Sequence, residues 1–298
     1  MEIHSRLTDL KKPVYTLILV TYNRGNILKD ILNSILSFEW SYLSFIIVDN
    51  CSNDSTPEIL NSFSKKMPIT IITSNENIGH GAGLALAFKF ITNSVNIPEF
   101  LIFLEDDSIP SKNLADSLLL KIHESEFSLL SSLGSISKLG KRTIVNSLPG
   151  QIIEVDFAVF DGAIMRTEVI KQVGFPESDW FMMVDDYEYC YRLKRKGFKI
   201  GVIYNDFHQI LHLGAGTGFS KSSLWRGYYQ ERNYVFFVKK HFSWFNFFDF
   251  SVFFLKRIVG SFSAPDRFER LKLKFIGLWH GIVNKKGKTL DPTTLKFE

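Results

Sequence analysis

Cysteine is almost missing from this 298-residue chain, which has only Cys51 and Cys190. Neither belongs to a Cys-x-x-Cys pair, so no zinc or disulfide framework is supported, and a reducing cytosol is the simplest setting. No stretch reaches the roughly 18 uninterrupted apolar residues of an ordinary spanning helix. The opening residues, MEIHSRLTDLKKP, lack the apolar centre of a secretory signal. Repeats and low-complexity tracts are also lacking. Charge of one sign is not in excess: charged residues are 22% and the formal net charge is +4, values that exclude a disordered polyelectrolyte. The length suits one large domain, or one domain with a substantial C-terminal addition.

The charge that is present is unevenly placed. From Lys221 onward there are 15 Lys and Arg against 6 Asp and Glu, whereas the preceding residues carry 20 against 25. An acidic body with a basic tail predicts that the tail meets something anionic. Phenylalanine is abundant at 28 residues, many of them in that same tail.

Apolar runs set the rhythm of the first half. Tyr15–Thr21 (YTLILVT), Ser44–Asp49 (SFIIVD), Ile69–Thr73 and Phe100–Leu104 (FLIFL) read as buried strands. Between the first two, Ile27, Leu28, Ile31, Leu32, Ile35 and Leu36 recur at helical spacing. Ser55-Thr56-Pro57-Glu58 reads as a cap, a first-turn proline and a helix start. The alternation predicts a mostly parallel sheet covered by helices, with ligands beyond the carboxyl ends of the strands. Tyr22-Asn23, Asp49-Asn50 and Glu105-Asp106-Asp107 all fall at such ends.

The second half is less regular. Residues 157–165 (FAVFDGAIM) read as a strand interrupted at Asp161-Gly162, and 199–204 as a short strand. Residues 184–196 (VDDYEYCYRLKRK) read as a helix with acids first and bases last, an order that suits its dipole, with Gly197 ending it. Residues 225–239 form an amphipathic aromatic segment, and 241–255 is rich in Phe and Trp but broken by Asn246 and Asp249. The predicted division is a domain over 1–222, with halves at about 14–110 and 111–222, and a helical extension over 223–298.

The sharpest chemical signal is Glu105-x-Asp107 at the end of the FLIFL strand. Carboxylates two apart on extended backbone can face one divalent cation, and Mg²⁺ or Mn²⁺ takes oxygen ligands and bridges diphosphate oxygens. The plain alternative is an acidic turn capping the next helix. Asp185-Asp186-x-Glu188 is the second signal: a carboxylate at a helix start can remove a proton from an attacking hydroxyl, and neighbouring acids raise its pKa. A merely dipole-matched first turn reads the same way. His212 could complete a metal site, with His208 as its competitor. The glycine turn over 77–83 (NIGHGAG) departs from Gly-x-Gly-x-x-Gly, so it carries no nicotinamide fingerprint. It allows close backbone approach to a ligand or forms an ordinary turn, and His80 within it reads as a phosphate contact or as a plain polar loop residue.

Taken together, ILVTYNR, IIVDNCSND, NENIGHGAG, FLEDDSIP and FMMVDDYEYCYRLKRKGFKIG resemble, in order and spacing, the family 2 inverting glycosyltransferases with the GT-A fold. The nearest look is to rhamnosyl- and galactofuranosyltransferase-like members, over residues 14–240. The resemblance implies a Rossmann-like α/β catalytic domain that moves a sugar from a nucleotide diphosphate to a hydroxyl on a glycan or lipid-linked glycan. It implies Tyr22 and Asp49 on the base and ribose, with Asn23, Arg24, Asn77 and Gly79 in the same donor site. Asp107 would be the principal ligand to Mn²⁺ or Mg²⁺, with Glu105 or Asp106 assisting and His212 completing the site. Asp186 would be the general base, Glu188 would orient the base or acceptor, and Arg232-Asn233 would lie near the donor phosphates. One departure stands out: Glu105 fills the slot where the family's Asp-x-Asp motif begins with Asp.

The resemblance also implies work at the inner face of the cell membrane, and an anionic lipid surface suits the aromatic, basic tail. A second small core, a homo-oligomer face, or helices packed back on the catalytic domain are the other readings of that segment. No nucleic-acid partner is expected. Two competing functions are a non-catalytic sugar-nucleotide-binding or scaffold member, and a nucleotidyltransferase. The latter calls for a basic, glycine-rich loop after the first strand, where this chain has Tyr22-Asn23-Arg24-Gly25-Asn26.

Overall fold

The computed structural model describes residues 15–38, 40, 44–204, 211–212 and 224–298. The first half alternates as β1 (Tyr15–Thr21), α1 (Gly25–Ser37), β2 (Ser44–Asp49), α2 (Thr56–Ser64), β3 (Ile69–Thr73), α3 (His80–Thr92) and β4 (Phe100–Leu104). Next come β5 (Ser108–Ile109), α4 (Leu114–His123), β6 (Leu129–Ser131), β7 (Gly134–Lys138), β8 (Lys141–Val145), β9 (Ile152–Glu154) and β10 (Phe157–Ala158). Then follow β11 (Ala163–Arg166), α5 (Ile170–Val173), α6 (Asp185–Arg195), β12 (Ile200–Ile203) and β13 (Leu211–His212). The chain ends in α7 (Leu224–Lys240), α8 (Trp244–Ser261) and α9 (Arg267–Ile282).

Eight strands make one sheet in the order β3-β2-β1-β4-β11-β6-β12-β9. β1 to β4 run parallel, and β11 enters antiparallel between β4 and β6. Alternate residues of β1 enter opposite cores: Ile18 and Val20 join α3 and α6, while Leu17 and Leu19 join α1, α2 and α4. A sheet covered on both faces needs strands that are apolar at every position, which is why YTLILVT and FLIFL carry no alternation. Thr21 pairs with Asp49, and Leu19 with Leu104, so β1, β2 and β4 end together at one edge.

The interruption at Asp161-Gly162 separates β10 from β11, and β10 leaves the main sheet to pair with β7 in a three-stranded sheet with β8. The hairpin β7–β8 and the strand β9 have mixed burial and no clear period, and sequence reading does not find them. The segment read as broken at Asn246 and Asp249 is instead continuous in α8. Those two residues are buried, and the phenylalanines around them are not. Asp249 accepts from Arg142 at 2.6 Å and from the Gly140 amide at 2.7 Å, while Asn246 donates to Tyr191 at 3.0 Å. The polar positions are the helix's inward face.

Helix α7 packs along α9, and the glycines of α9 let the two backbones approach. A Cβ on Gly277 would lie 2.3 Å from the Tyr228 carbonyl oxygen, and one on Gly281 would lie 2.8 Å from that of Arg232. Neither backbone can retreat without opening the core of Phe181, Leu224, Tyr228, Tyr229, Leu273 and Leu290. Gly277→Val should therefore cost about 2 kcal/mol or more in urea unfolding, the scale of forced overpacking; an unchanged midpoint would contradict this packing.

Candidate active site

The strand ends open on a cleft of about 410 Å3. Tyr22 and Arg24 come from the β1 end, Asn50 from the β2 end, Asn77 and His80 from the glycine turn, and Glu105 and Asp106 from the β4 end. The opposite wall is the 181–186 turn, with Trp225 of α7 and Lys288 and Asp291 of the C-terminal segment.

The loops interlock through their own polar groups. Asn23, at φ 52°, receives the Asn53 amide on its side chain at 2.8 Å and donates its own amide to Ser52 at 2.9 Å. Asn23 thus staples two loops together and is not in the cleft wall. Asp49 lies beneath the wall, nearly sealed, where it accepts the Ser52 amide at 3.0 Å. Its neighbour Asn50 lines the cleft instead: Nδ2 donates to the Gly79 carbonyl at 3.1 Å, and the buried Oδ1 has no partner among the described residues. An unpaired buried acceptor is costly. The family resemblance puts Asp49 on the base and ribose; in the structure it is Asn50 that lines the cleft.

Gly79 has φ 86°, and a Cβ there would lie 2.0 Å from the Phe181 carbonyl. Only glycine allows the turn to press on the 181–186 wall, and that contact brings His80 to it. His80 Nδ1 lies 2.6 Å from Asp185 and Nε2 lies 3.8 Å from Glu105. His80 therefore bridges the acidic end of β4 and the start of α6. Burial works to lower its pKa, but the charges of Asp185, Glu105 and Asp186 prevail and push it up to about 10.

The acids respond to crowding. Burial, together with Asp161, Asp106 and Asp107, pushes the Glu105 carboxyl up to about 8 against the opposing pull of His80. Asp106 is raised by burial even though Arg24 lies 3.4 Å away. Asp107 is half-buried at the following turn, and Ser108 donates to both oxygens of Asp161 at 2.9 Å. His212 pairs through its backbone with Ser108, next to Asp107; His208 lies outside the described residues. Among the described residues, no three His, Cys, Asp or Glu side chains gather as a closed metal cage. The donor set nevertheless fits a hard divalent ion. Glu105, Asp106 and Asp107 bring three carboxylates to one strand end, and such ions take only one or two carboxylates when phosphates supply the remaining ligands.

Asp186 stands at the start of α6. Burial, then the Asp185 charge, push its carboxyl up to about 7 against the Tyr187 amide, 2.7 Å away, and His80. It also faces a second cavity of about 390 Å3, lined by Arg142, Phe157, Tyr187, Gln230 and Tyr234 among others. Asp186, Met183 and Val184 border both spaces, so this carboxyl is part of the wall between them.

Two expected site residues lie elsewhere. Glu188 has 0% exposure and points away from the cleft, to Arg192 at 2.9 Å, Lys240 at 3.1 Å and His241 at 2.8 Å. Burial opposes its ionisation, but these partners hold its pKa below the ordinary value. It anchors α6 to the end of α7, two residues beyond the cleft-lining Asp186. Arg232 is likewise sealed and cannot meet a phosphate in this arrangement. It donates to the carbonyls of Trp180 at 2.7 Å and Gly287 at 2.8 Å, while Asn233 donates to those of Trp180, Met182 and Met183. The pair clasps the turn in which Phe181, Met183 and Val184 all have positive φ.

This sheet order, with acids at the end of β4 and the α6 turn opposite, is a GT-A architecture. Residues 16–149 match the family model described as Glycosyl transferase family 2. It is 23% identical over 204 residues to the low-salt glycan biosynthesis hexosyltransferase Agl10 of Haloferax volcanii, covering 62% of this chain and 63% of that protein. It is 24% identical over 205 residues to galactofuranosyltransferase GlfT1 of Mycolicibacterium smegmatis, covering 62% and 66%. The chain thus spans somewhat under two thirds of the length of these relatives. Its fold matches the mannosyltransferase PcManGT from Pyrobaculum calidifontis in complex with GDP-Man and Mn²⁺, with TM-score 0.58, 13% identity, and 91% and 73% of the two chains covered.

The clasp makes a discriminating prediction. Arg232→Met and Asn233→Ala should each cost about 3 kcal/mol in urea unfolding, because buried carbonyls lose their donors. Weakened nucleotide binding at unchanged stability would instead put Arg232 on the donor.

Proposed function

We propose that this protein is an inverting glycosyltransferase that moves a hexosyl or deoxyhexosyl group from a nucleotide diphosphate to a hydroxyl of a glycan or lipid-linked glycan in cell-surface polysaccharide synthesis. The observation that carries this reading is the placement of Asp186 between two cavities, one edged by strand ends and acids, the other by aromatic rings. UDP-galactofuranose and dTDP-rhamnose are the leading donors, with UDP-hexopyranoses next. Similarity to a galactofuranosyltransferase supports the first of these.

In this reading Asn50 and Tyr22 receive the base and ribose, and Arg24 and Asn77 border the diphosphate. Asp107 would hold Mn²⁺ or Mg²⁺ with Glu105 and His212, and a bound ion would supply charge compensation to the departing diphosphate. The Mn²⁺ in complex with the structurally similar mannosyltransferase supports the use of a divalent ion. The acceptor enters from the aromatic cavity, where sugar faces can lie against Tyr187 and Tyr234. Asp186 accepts the proton of the acceptor hydroxyl. The freed oxygen pair forms the new bond to the anomeric carbon as the bond to the diphosphate oxygen breaks, so the configuration inverts. His80 holds Asp185 and keeps the acidic walls together without itself reaching the acceptor.

A nucleotide that binds only the folded protein must raise its melting temperature. UDP or dTDP with Mn²⁺ should do so, and EDTA or Asp107→Ala should abolish the shift. No shift with any nucleotide in a folded sample would favour a non-catalytic scaffold. The base works only when deprotonated, and its pKa is raised to about 7. Therefore kcat/KM should fall tenfold per pH unit below about 7 and level off above it; a plateau extending down to pH 5 would argue against Asp186 as base.

A further inference from the structure

Helix α8 is inside out. Its buried residues are Asn246, Asp249 and Ser261, all polar. Trp244, Phe248, Leu255, Val259 and Phe262 follow one another at three- to seven-residue intervals along one exposed stripe, with Trp244 68% and Val259 69% accessible. The helix has 18 residues, so the stripe runs for about 27 Å. Helix α9 repeats the pattern with Phe268, Phe275, Trp279 and Ile282 exposed, while Leu273, Gly277 and Gly281 face α7. Phe254 and Phe275 touch at 5.8 Å between ring centres, which joins the two helices edge to edge. Isolated exposed apolar residues are ordinary, but a continuous aromatic face of this length marks a contact surface.

The charge around it selects the occupant. Between His241 and Gly287 the exposed charged residues are Lys256, Arg267, Lys272, Lys285 and Lys286, against Glu269 alone. Lys286 is matched by Asp179, which leaves four cations against one acid. The acids Asp249 and Asp266 are turned inward, onto Arg142 and Arg270. A second copy packed about a two-fold axis would bring these cations toward their own images, a like-charge juxtaposition that opposes association. An anionic bilayer meets both features: headgroups take the lysines, and the aromatic rings enter the boundary beneath them. No helix among the described residues is long and apolar enough to cross a membrane, so the contact lies in the interface plane.

We propose that α8 and α9 form a docking face for an anionic lipid bilayer, entered by Trp244, Phe248 and Trp279 and flanked by Arg267 and Lys272. The chain then returns quickly to the cleft: Val283 follows α9, and Lys288 already lines the cleft wall. Five residues span at most about 18 Å, so docking holds the cleft rim close to the lipid surface. That last consequence bears on a lipid-linked acceptor and rests on the function proposed above; the docking face itself does not.

The test is co-sedimentation of the full chain with phosphatidylcholine vesicles, with and without phosphatidylglycerol, beside two variants, Trp244→Ser/Phe248→Ser and Arg267→Glu/Lys272→Glu. All four side chains are exposed, and the melting temperature checks that each variant is folded. The intact protein should pellet with phosphatidylglycerol vesicles and release with added salt. Each variant should bind about tenfold or more weakly while keeping its nucleotide-induced melting shift. No pelleting of the intact protein, or pelleting unaffected by both variants, would overturn the proposal. So would sedimentation-velocity evidence of a dimer that the aromatic variant dissociates in the absence of vesicle binding. Loss of the nucleotide shift in the intact protein would strike the catalytic reading alone.

Discussion

A guanidinium and an amide, both sealed from water, grip one turn of backbone. Arg232 and Asn233 donate to the carbonyls of Trp180, Met182 and Met183, and within this turn Phe181, Met183 and Val184 adopt left-handed φ values between 64° and 71°. Such conformations cost on the order of 1–3 kcal/mol apiece in residues with side chains and persist only where their surroundings over-determine them. The clasp supplies that constraint, and the aromatic cores around Phe181 and Trp180 reinforce it. What depends on it is the entry into α6, hence the position of Asp185 and Asp186. The C-terminal helices are therefore part of the site's foundation: α7 holds the turn, and α9 holds α7 through Gly277 and Gly281.

The second constraint is electrostatic. Acids from the end of β4 and from the start of α6 face one another across the cleft, and His80 lies between them, within 2.6 Å of Asp185 and 3.8 Å of Glu105. This cation keeps the two acidic walls from repelling one another, while Asp186, beyond its hydrogen-bonding reach, retains a raised pKa. A carboxyl that ionises near neutral pH can both accept a proton and release it. The same neighbourhood leaves Glu105 and Asp106 reluctant to ionise.

Much of the fold was legible because β1, β2 and β4 are buried on both faces, and a doubly buried strand must be apolar throughout. Their acidic and amide ends marked the functional edge for the same reason: polar residues resume where the sheet stops. The short strands from β6 to β10 carry two to five residues, and β7 to β10 have mixed or partial burial, too little for a period to emerge. Glu188 and Arg232 were placed in the site because a charged residue reads alike whether it faces a cleft or a core. Their partners lie some fifty residues away in sequence, as Lys240, His241 and Trp180. His80 reads in the sequence only as a phosphate contact or a polar loop residue, since its partner Asp185 is 105 residues distant. Asn246 and Asp249 looked like breaks because the sequence of α8 assumes no particular inside; only the fold shows that its polar side is the inner one.

The account stands most directly on Asp186. With the donor nucleotide known, sugar transfer to acceptor in membranes of the producing cell can be compared between the intact enzyme and Asp186→Asn, which keeps the size and shape of the side chain. The account predicts a fall in kcat of about 10² to 10⁴, the range for loss of a general base, with the nucleotide-induced melting shift preserved. Turnover near that of the intact enzyme in a folded Asp186→Asn protein would contradict it.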